Sequence, residues 1–256
     1  MIRRIIFLLA IAISTVSCQF VETIVMEEDG TGHVSLKMDM KEMMAMGGGA
    51  LTDSIPKKVD TIISMKDVLR EKKDSIATLS KAEQKKLKSI ENFDMRMLMD
   101  PETGDFFFDI FTDFKNIDEA NNIMNGLGQS SSLMKSIEGM GVMGVGGTGM
   151  PNDVSSNQET EMIGVAFNYK NGKFSRDAYI KDKEKHQTQL DSMGGAEMFL
   201  GSIMYKVKYT FPRKIMKSSV EDATYSLDGK TITFERSFMD YIKNPDVLDV
   251  EIELEK

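Results

Sequence analysis

The sequence predicts an α+β fold, antiparallel β-hairpins forming one or two sheets with packed helices, on three observations. Apolar and polar residues alternate with period two on either side of turn signals at Asp29-Gly30, Asn171-Gly172 and Asp228-Gly229, the pattern of hairpins with one buried face. Residues 56–92 and 116–126 instead place apolar side chains at three and four spacing, as amphipathic helices do. Residues 127–160 are rich in Gly and Met and keep neither period, so a long mobile loop is expected there.

The chain opens with a secretory signal. Arg3 and Arg4 precede an unbroken apolar run from Ile5 to Ile13, and small residues then lead to the single cysteine, Cys18. That run falls short of the about 20 apolar residues a permanent spanning helix needs. The order Ser14-Thr15-Val16-Ser17-Cys18 resembles the lipobox of bacterial lipoproteins, with Thr15 where leucine is usual. The resemblance implies cleavage before Cys18, diacylation of its thiol and acylation of its new amino group. The competing reading is conventional cleavage that leaves Cys18 an ordinary thiol. Residues 1–17 are thus expected to leave, 18–19 to form the anchor, and 20–256 to form one α+β body at a membrane face. Two subdomains, 20–126 and 161–256, joined by a flexible 127–160 are the alternative organisation. One acyl chain holds a protein marginally, whereas two or three hold it stably. Gln19, rather than Asp, follows the cysteine; by analogy with lipoprotein sorting, this favours the outer membrane of a double-membrane bacterium.

Composition excludes several partners. The net charge of −8 becomes −10 once Arg3 and Arg4 leave with the signal, and such a surface repels nucleic acid and anionic headgroups. No cysteine follows Cys18, so neither a disulfide nor a thiolate zinc site can hold the body. Packing must do so, and 41% hydrophobic residues suffice for a core.

In order along the body, residues 20–26 and 32–40 flank an acidic turn, with Val34, Leu36, Met38 and Met40 alternating with Ser35, Lys37 and Asp39. Residues 41–46 are expected to form a short helix that Gly47, Gly48 and Gly49 end. Pro56 opens a further helix with Val59, Ile62 and Ile63 as its apolar stripe. Ser80, with Glu83 and Gln84 behind it, marks another helix start, with Leu87 and Ile90 on one face. The lysines of this region lie among acids and read as a solvated face. Met95, Met97 and Met99 then alternate in a strand, and residues 106–114 return after a turn. On that return strand Phe106, Phe108, Ile110 and Phe114 share one face, Phe107 and Phe111 the other. A strand apolar on both faces is either covered twice, or faces a core on one side and a greasy cavity or partner on the other. Residues 116–119 open a helix with an acidic first turn.

The last third is the most regular. Ile163, Val165, Phe167 and Tyr169 alternate, Asn171-Gly172 supplies a tight turn, and 174–180 return. Residues 182–199 read as a helix with a break near Gly194-Gly195. Tyr205, Val207, Tyr209 and Phe211 alternate up to Pro212, which ends the strand. Residues 223–227 and 231–238 form a hairpin with Ile232 and Phe234 inward, 239–244 make a helical turn, and Leu248, Val250, Ile252 and Leu254 alternate with acids that face water.

The run YKVKYTFPRKI at 205–215, followed by SSVEDATYSLDGKTITFERSF at 218–238, resembles the closing Phe-Pro and Asp-Gly hairpin of LppM-type lipoprotein domains. The opening is similar too: a signal with cysteine, then a hairpin with an acidic turn at Asp29-Gly30. Arg213 stands where glycine usually follows Phe-Pro, and Phe234 near where tryptophan is common. The resemblance covers the first and last quarters. It implies an α+β domain beside the membrane, with lipid or hydrophobic-ligand binding proposed, and carries over no catalytic residue.

Residues that could do chemistry are sparse. His33 lies in the first hairpin and His186 in a polar helix, neither with a carboxylate or cysteine at ligand spacing, which argues against zinc. No phosphate loop or nucleophile elbow occurs. The expectation is a non-enzymatic binding or scaffold protein without a cofactor, tethered to a membrane through lipid on Cys18. Its expected partner is a hydrophobic ligand or an envelope protein, met by Phe106, Phe107, Phe108 and Phe111. A second class stays open, because Met40, Met43, Met44 and Met46 form a dense cluster with Met38. Thioethers favour Cu(I), although methionine also fills irregular cores. An enzyme without a recognisable motif is the third.

Overall fold

Alternation puts Phe20, Glu22, Ile24 and Met26 on one side of strand β1 (Gln19–Met26), and this strand is central to the larger of two sheets. The computed structural model describes residues 19–41, 58–127, 162–192 and 201–256. Among them, β1 pairs antiparallel with β2 (Gly32–Asp39) on one side and parallel with β8 (Met204–Thr210) on the other. Beyond β2 lie β5 (Asp105–Phe114), β4 (Asp94–Asp100) and β3 (Val59–Ser64); beyond β8 lie β11 (Thr231–Ser237) and β10 (Thr224–Tyr225). The smaller sheet runs β6 (Ile163–Lys170), β7 (Lys173–Ile180), β12 (Val250–Leu254), β9 (Ile215–Ser218). This is the predicted α+β architecture, tied together by long-range pairings that hairpins alone do not foretell: β2–β5, β8–β11, β7–β12, β9–β12 and, parallel among the described strands, β1–β8.

One core joins the sheets. Ile24, Val34, Met95, Val207 and Ile232 from the larger sheet are buried in one cluster with Phe167, Phe174, Ala178, Val250 and Ile252 from the smaller. Among the described residues six helices pack around them: α1 (Met65–Glu71), α2 (Lys73–Ala77), α3 (Lys81–Ser89), α4 (Ile117–Leu127), α5 (Lys183–Ser192) and α6 (Phe238–Lys243), the last followed by a 3-10 turn at Pro245–Leu248. Leu87 of α3 and Ile90 in the turn that follows it are buried, and the acids of β12, Glu251 and Glu253, are exposed. Asn171 and Gly172 both have positive φ, 54° and 74°, the backbone a two-residue hairpin turn demands.

Helix α4 closes an edge of the smaller sheet. Asn116 Oδ1 accepts the Glu119 N–H at 3.0 Å and Glu119 reaches back to the Lys115 N–H at 2.7 Å, which caps the helix start. One and two turns on, Asn121 and Asn125 aim their amides at the outer edge of β6. Asn125 donates to the Val165 carbonyl at 2.8 Å and accepts the Val165 N–H at 3.2 Å; Asn121 donates to the Phe167 carbonyl at 2.8 Å and accepts the Phe167 N–H. Four helical residues rise about 6.0 Å and two strand residues about 6.6 Å, so the two repeats stay in step. The asparagines act as a substitute strand, covering an edge that would otherwise invite pairing.

Several expectations are corrected. Residues 59–64 are strand β3, paired with β4, and the helix starts only at Met65. Val59, Thr61, Ile62 and Ile63 are β-branched and lose rotamer freedom in a helix, while Arg96 on β4 donates two 2.9 Å bonds to Asp60 that fix the strand. His186 lies in the polar helix α5 as expected, but its side chain is buried, with Nε2 2.7 Å from the Ile242 carbonyl. Strand β9, with only four residues, gave no period to read. The helix expected at 41–46 beyond Lys41, Pro56, the loop from 128 on, and the break at Gly194-Gly195 lie outside the described residues.

Candidate functional site

Between the sheets lies a polar cluster on which no motif drew. Glu22 belongs to the inward face of β1 with Ile24 and Met26, and Arg176 to the inward face of β7 between Phe174 and Ala178. Both side chains are fully buried. Arg176 Nε and one terminal nitrogen each reach a Glu22 oxygen at 3.2 Å, its other terminal nitrogen donates to the Leu248 carbonyl at 3.3 Å, and its guanidinium lies 5.9 Å from the Tyr241 ring centre. The Tyr205 hydroxyl donates to Glu22 at 2.6 Å, and the Tyr209 hydroxyl donates to its other oxygen. Burial opposes the Glu22 charge, but Arg176 and the two phenols outweigh it and hold the carboxyl below its ordinary value. Burial and the Glu22 charge push Tyr205 and Tyr209 well up, so both remain donors. A charge in the inward register of a strand is the sequence signal for this cluster. Every named group has a partner, so the cluster clamps the two sheets together.

The opposite face of the larger sheet carries a different arrangement. Register puts Phe107, Asp109, Phe111 and Asp113 of β5 between His33, Ser35 and Lys37 of β2 and Asp94, Arg96 and Leu98 of β4. The Lys37 ammonium sits 4.1 Å from the Phe107 ring centre and the Arg96 guanidinium 5.4 Å. His33 lies 5.7 Å from Phe111, ring centre to ring centre, and 2.8 Å from Asp113. Between the two half-buried phenylalanines, Asp109 Oδ1 is buried with no hydrogen-bond partner among the described residues. Burial pushes the Asp109 carboxyl up, against the pull of Lys37, His33, Ser35 and Arg96.

Phe106 and Phe108 point the other way. They are buried with Met40, Met97 and Met99 in a cluster separate from the main core, with Met38 and Val59 packed against it. The four phenylalanines proposed from sequence are therefore split between two faces of β5. Met40 joins methionines of β4; Met43, Met44 and Met46 lie outside the described residues. Among the described residues, no three His, Cys, Asp or Glu side chains gather as a metal site, and no helix is long and apolar enough to cross a membrane.

No protein-family model matches the chain, and no curated protein matches it. Among solved structures it is similar to the folded domain of LppM from Mycobacterium tuberculosis, determined by NMR. That likeness has a TM-score of 0.40 and 6% identity, and it covers 93% of this chain and 89% of that one. So distant a likeness leaves function to be argued from the residues themselves.

Proposed function

We propose that this chain is a lipid-tethered protein of the cell envelope that acts by binding, and that the surface it offers is the outer face of β2, β5 and β4. The signal and Cys18 support the tether. The observation that carries the binding surface is Asp109 Oδ1, a buried acceptor without a partner, set between the half-buried rings of Phe107 and Phe111. A buried acceptor left unpaired costs about 1–3 kcal/mol, and a ligand whose donor displaces the side chains packed over Oδ1 recovers it. The fitting partner has an apolar body to cover the rings and a hydroxyl or amine to meet the carboxyl, as a lipid-like molecule or an apolar protein segment does.

Native mass spectrometry of the body from Gln19 onward, purified from envelope-bearing cells, tests this. A stoichiometric lipid-like adduct that Phe107→Glu with Phe111→Glu abolishes is the expected result. An adduct that survives the pair of substitutions contradicts the surface, and a ligand-free protein turns the reading to a protein partner.

A further inference from the structure

The first residue of β1 is Gln19, next to Cys18, and it already pairs with Asp39 on one side and Met204 on the other. We propose, resting on the tethered reading above, that the end of the larger sheet at which β1 starts is a bilayer-docking rim, held among lipid headgroups so that the strands rise from the membrane. Adjacent Cα atoms are about 3.8 Å apart, so an acylated Cys18 puts no spacer between lipid and sheet. Ten flexible residues would have given a stand-off of about 17 Å.

The register names the rim. Strand β2 ends there and continues to Met40 and Lys41, because Asp39 pairs with Gln19. The β4–β5 turn at 100–105 lies there, because Asp39 also faces Phe107 and Asp100 faces Asp105. Strand β3 starts there, where Val59 meets Met99, and β8 starts there at Met204. The acidic turn with Glu27, Glu28 and Asp29 is at the other end of the eight-residue β1, about 23 Å away. The fully exposed Leu227 shares that far end, in the turn before Thr231, which pairs with Thr210.

The charges of the rim select the kind of membrane. Lys41 is 2.8 Å from Asp105, Lys58 is 3.1 Å from Asp100, and Lys37 is 3.3 Å from Asp39, while Glu102 adds one more acid on the turn. Among the described residues the rim thus sets three lysines against four acids, close to neutral. The acids of the far turn stand beyond the Debye length of about 8 Å. A zwitterionic bilayer surface is the partner that fits, with no need for anionic lipid.

The chain contains no tryptophan, so a single introduced tryptophan reports its own surroundings. Glu102→Trp marks the rim and Leu227→Trp the far end. The acylated full chain is reconstituted in phosphatidylcholine vesicles containing phosphatidylcholine spin-labelled on the headgroup, and the intact mass of each sample reads acylation of Cys18. Quenching several-fold stronger for Glu102→Trp than for Leu227→Trp is expected. Ten Gly and Ser residues inserted before Gln19 should remove that difference. Equal quenching at both positions in an acylated chain overturns the rim and leaves the tether standing. A Cys18 without acyl groups overturns the tether, and the rim with it.

Discussion

Glu22 carries a full charge into the middle of the molecule, and its neighbours decide what that charge does. Replacing one partner of such a pair strands the other, a loss of roughly 3–5 kcal/mol. Arg176→Met should therefore lower unfolding free energy by about that amount, whereas Glu22→Leu combined with Arg176→Met should lie closer to wild type than either single change. Denaturant titration of the three variants reads this directly. Tyr209→Phe removes one bond to a charged acceptor and should cost about 1.5–3 kcal/mol. Because Glu22 is held below its ordinary value in the fold, its contribution is complete above the unfolded-state value and disappears as pH falls through the folded one. Asp109 has the opposite sign: burial raises it, so its ionised form weakens the fold and protonation relieves the penalty. Acid titration of wild type against Glu22→Gln and Asp109→Asn should show the acid loss shrinking in the first and growing in the second.

At the scale of elements, helix α4 is as much an edge cover as a packing helix. Asn125→Leu keeps the volume but leaves the Val165 N–H and carbonyl unpaired on the outer strand. We expect a stability loss of about 1–3 kcal/mol and concentration-dependent self-association in light scattering, since an uncovered edge pairs with another chain. An Asn125→Leu protein that is monomeric and as stable as wild type would remove the substitute-strand role. The hairpins were legible in sequence because period two and turn chemistry agree, as at Asn171-Gly172 and Asp228-Gly229. Strand β3 was not: Val59, Ile62 and Ile63 satisfy helical spacing equally well, and only pairing with β4 distinguishes the two. The asparagine cover was also silent, since Asn at i and i+4 has no meaning until a strand edge lies beside it.

Over the whole molecule, the tether we propose, the larger sheet and the core would form one mechanical line. Cys18, the proposed anchor point, precedes the central strand, that strand carries Glu22 three residues after its start, and Glu22 grips the second sheet through Arg176. The candidate site was legible in part. Both apolar faces of β5 were visible in sequence, but which phenylalanine faced which way in the fold depended on β2 and β4 bringing Lys37, Arg96 and His33 over Phe107 and Phe111. Asp109 was invisible, because an acid between aromatics on a strand reads as solvated until its oxygen is seen buried. The account stands on Cys18 holding the chain to a membrane, and the intact mass of the full chain extracted from the envelope of a double-membrane bacterium tests that most directly. The predicted result is a chain that begins at Cys18 and carries acyl groups on it; a chain cleaved elsewhere, with Cys18 absent or a free thiol, contradicts the account.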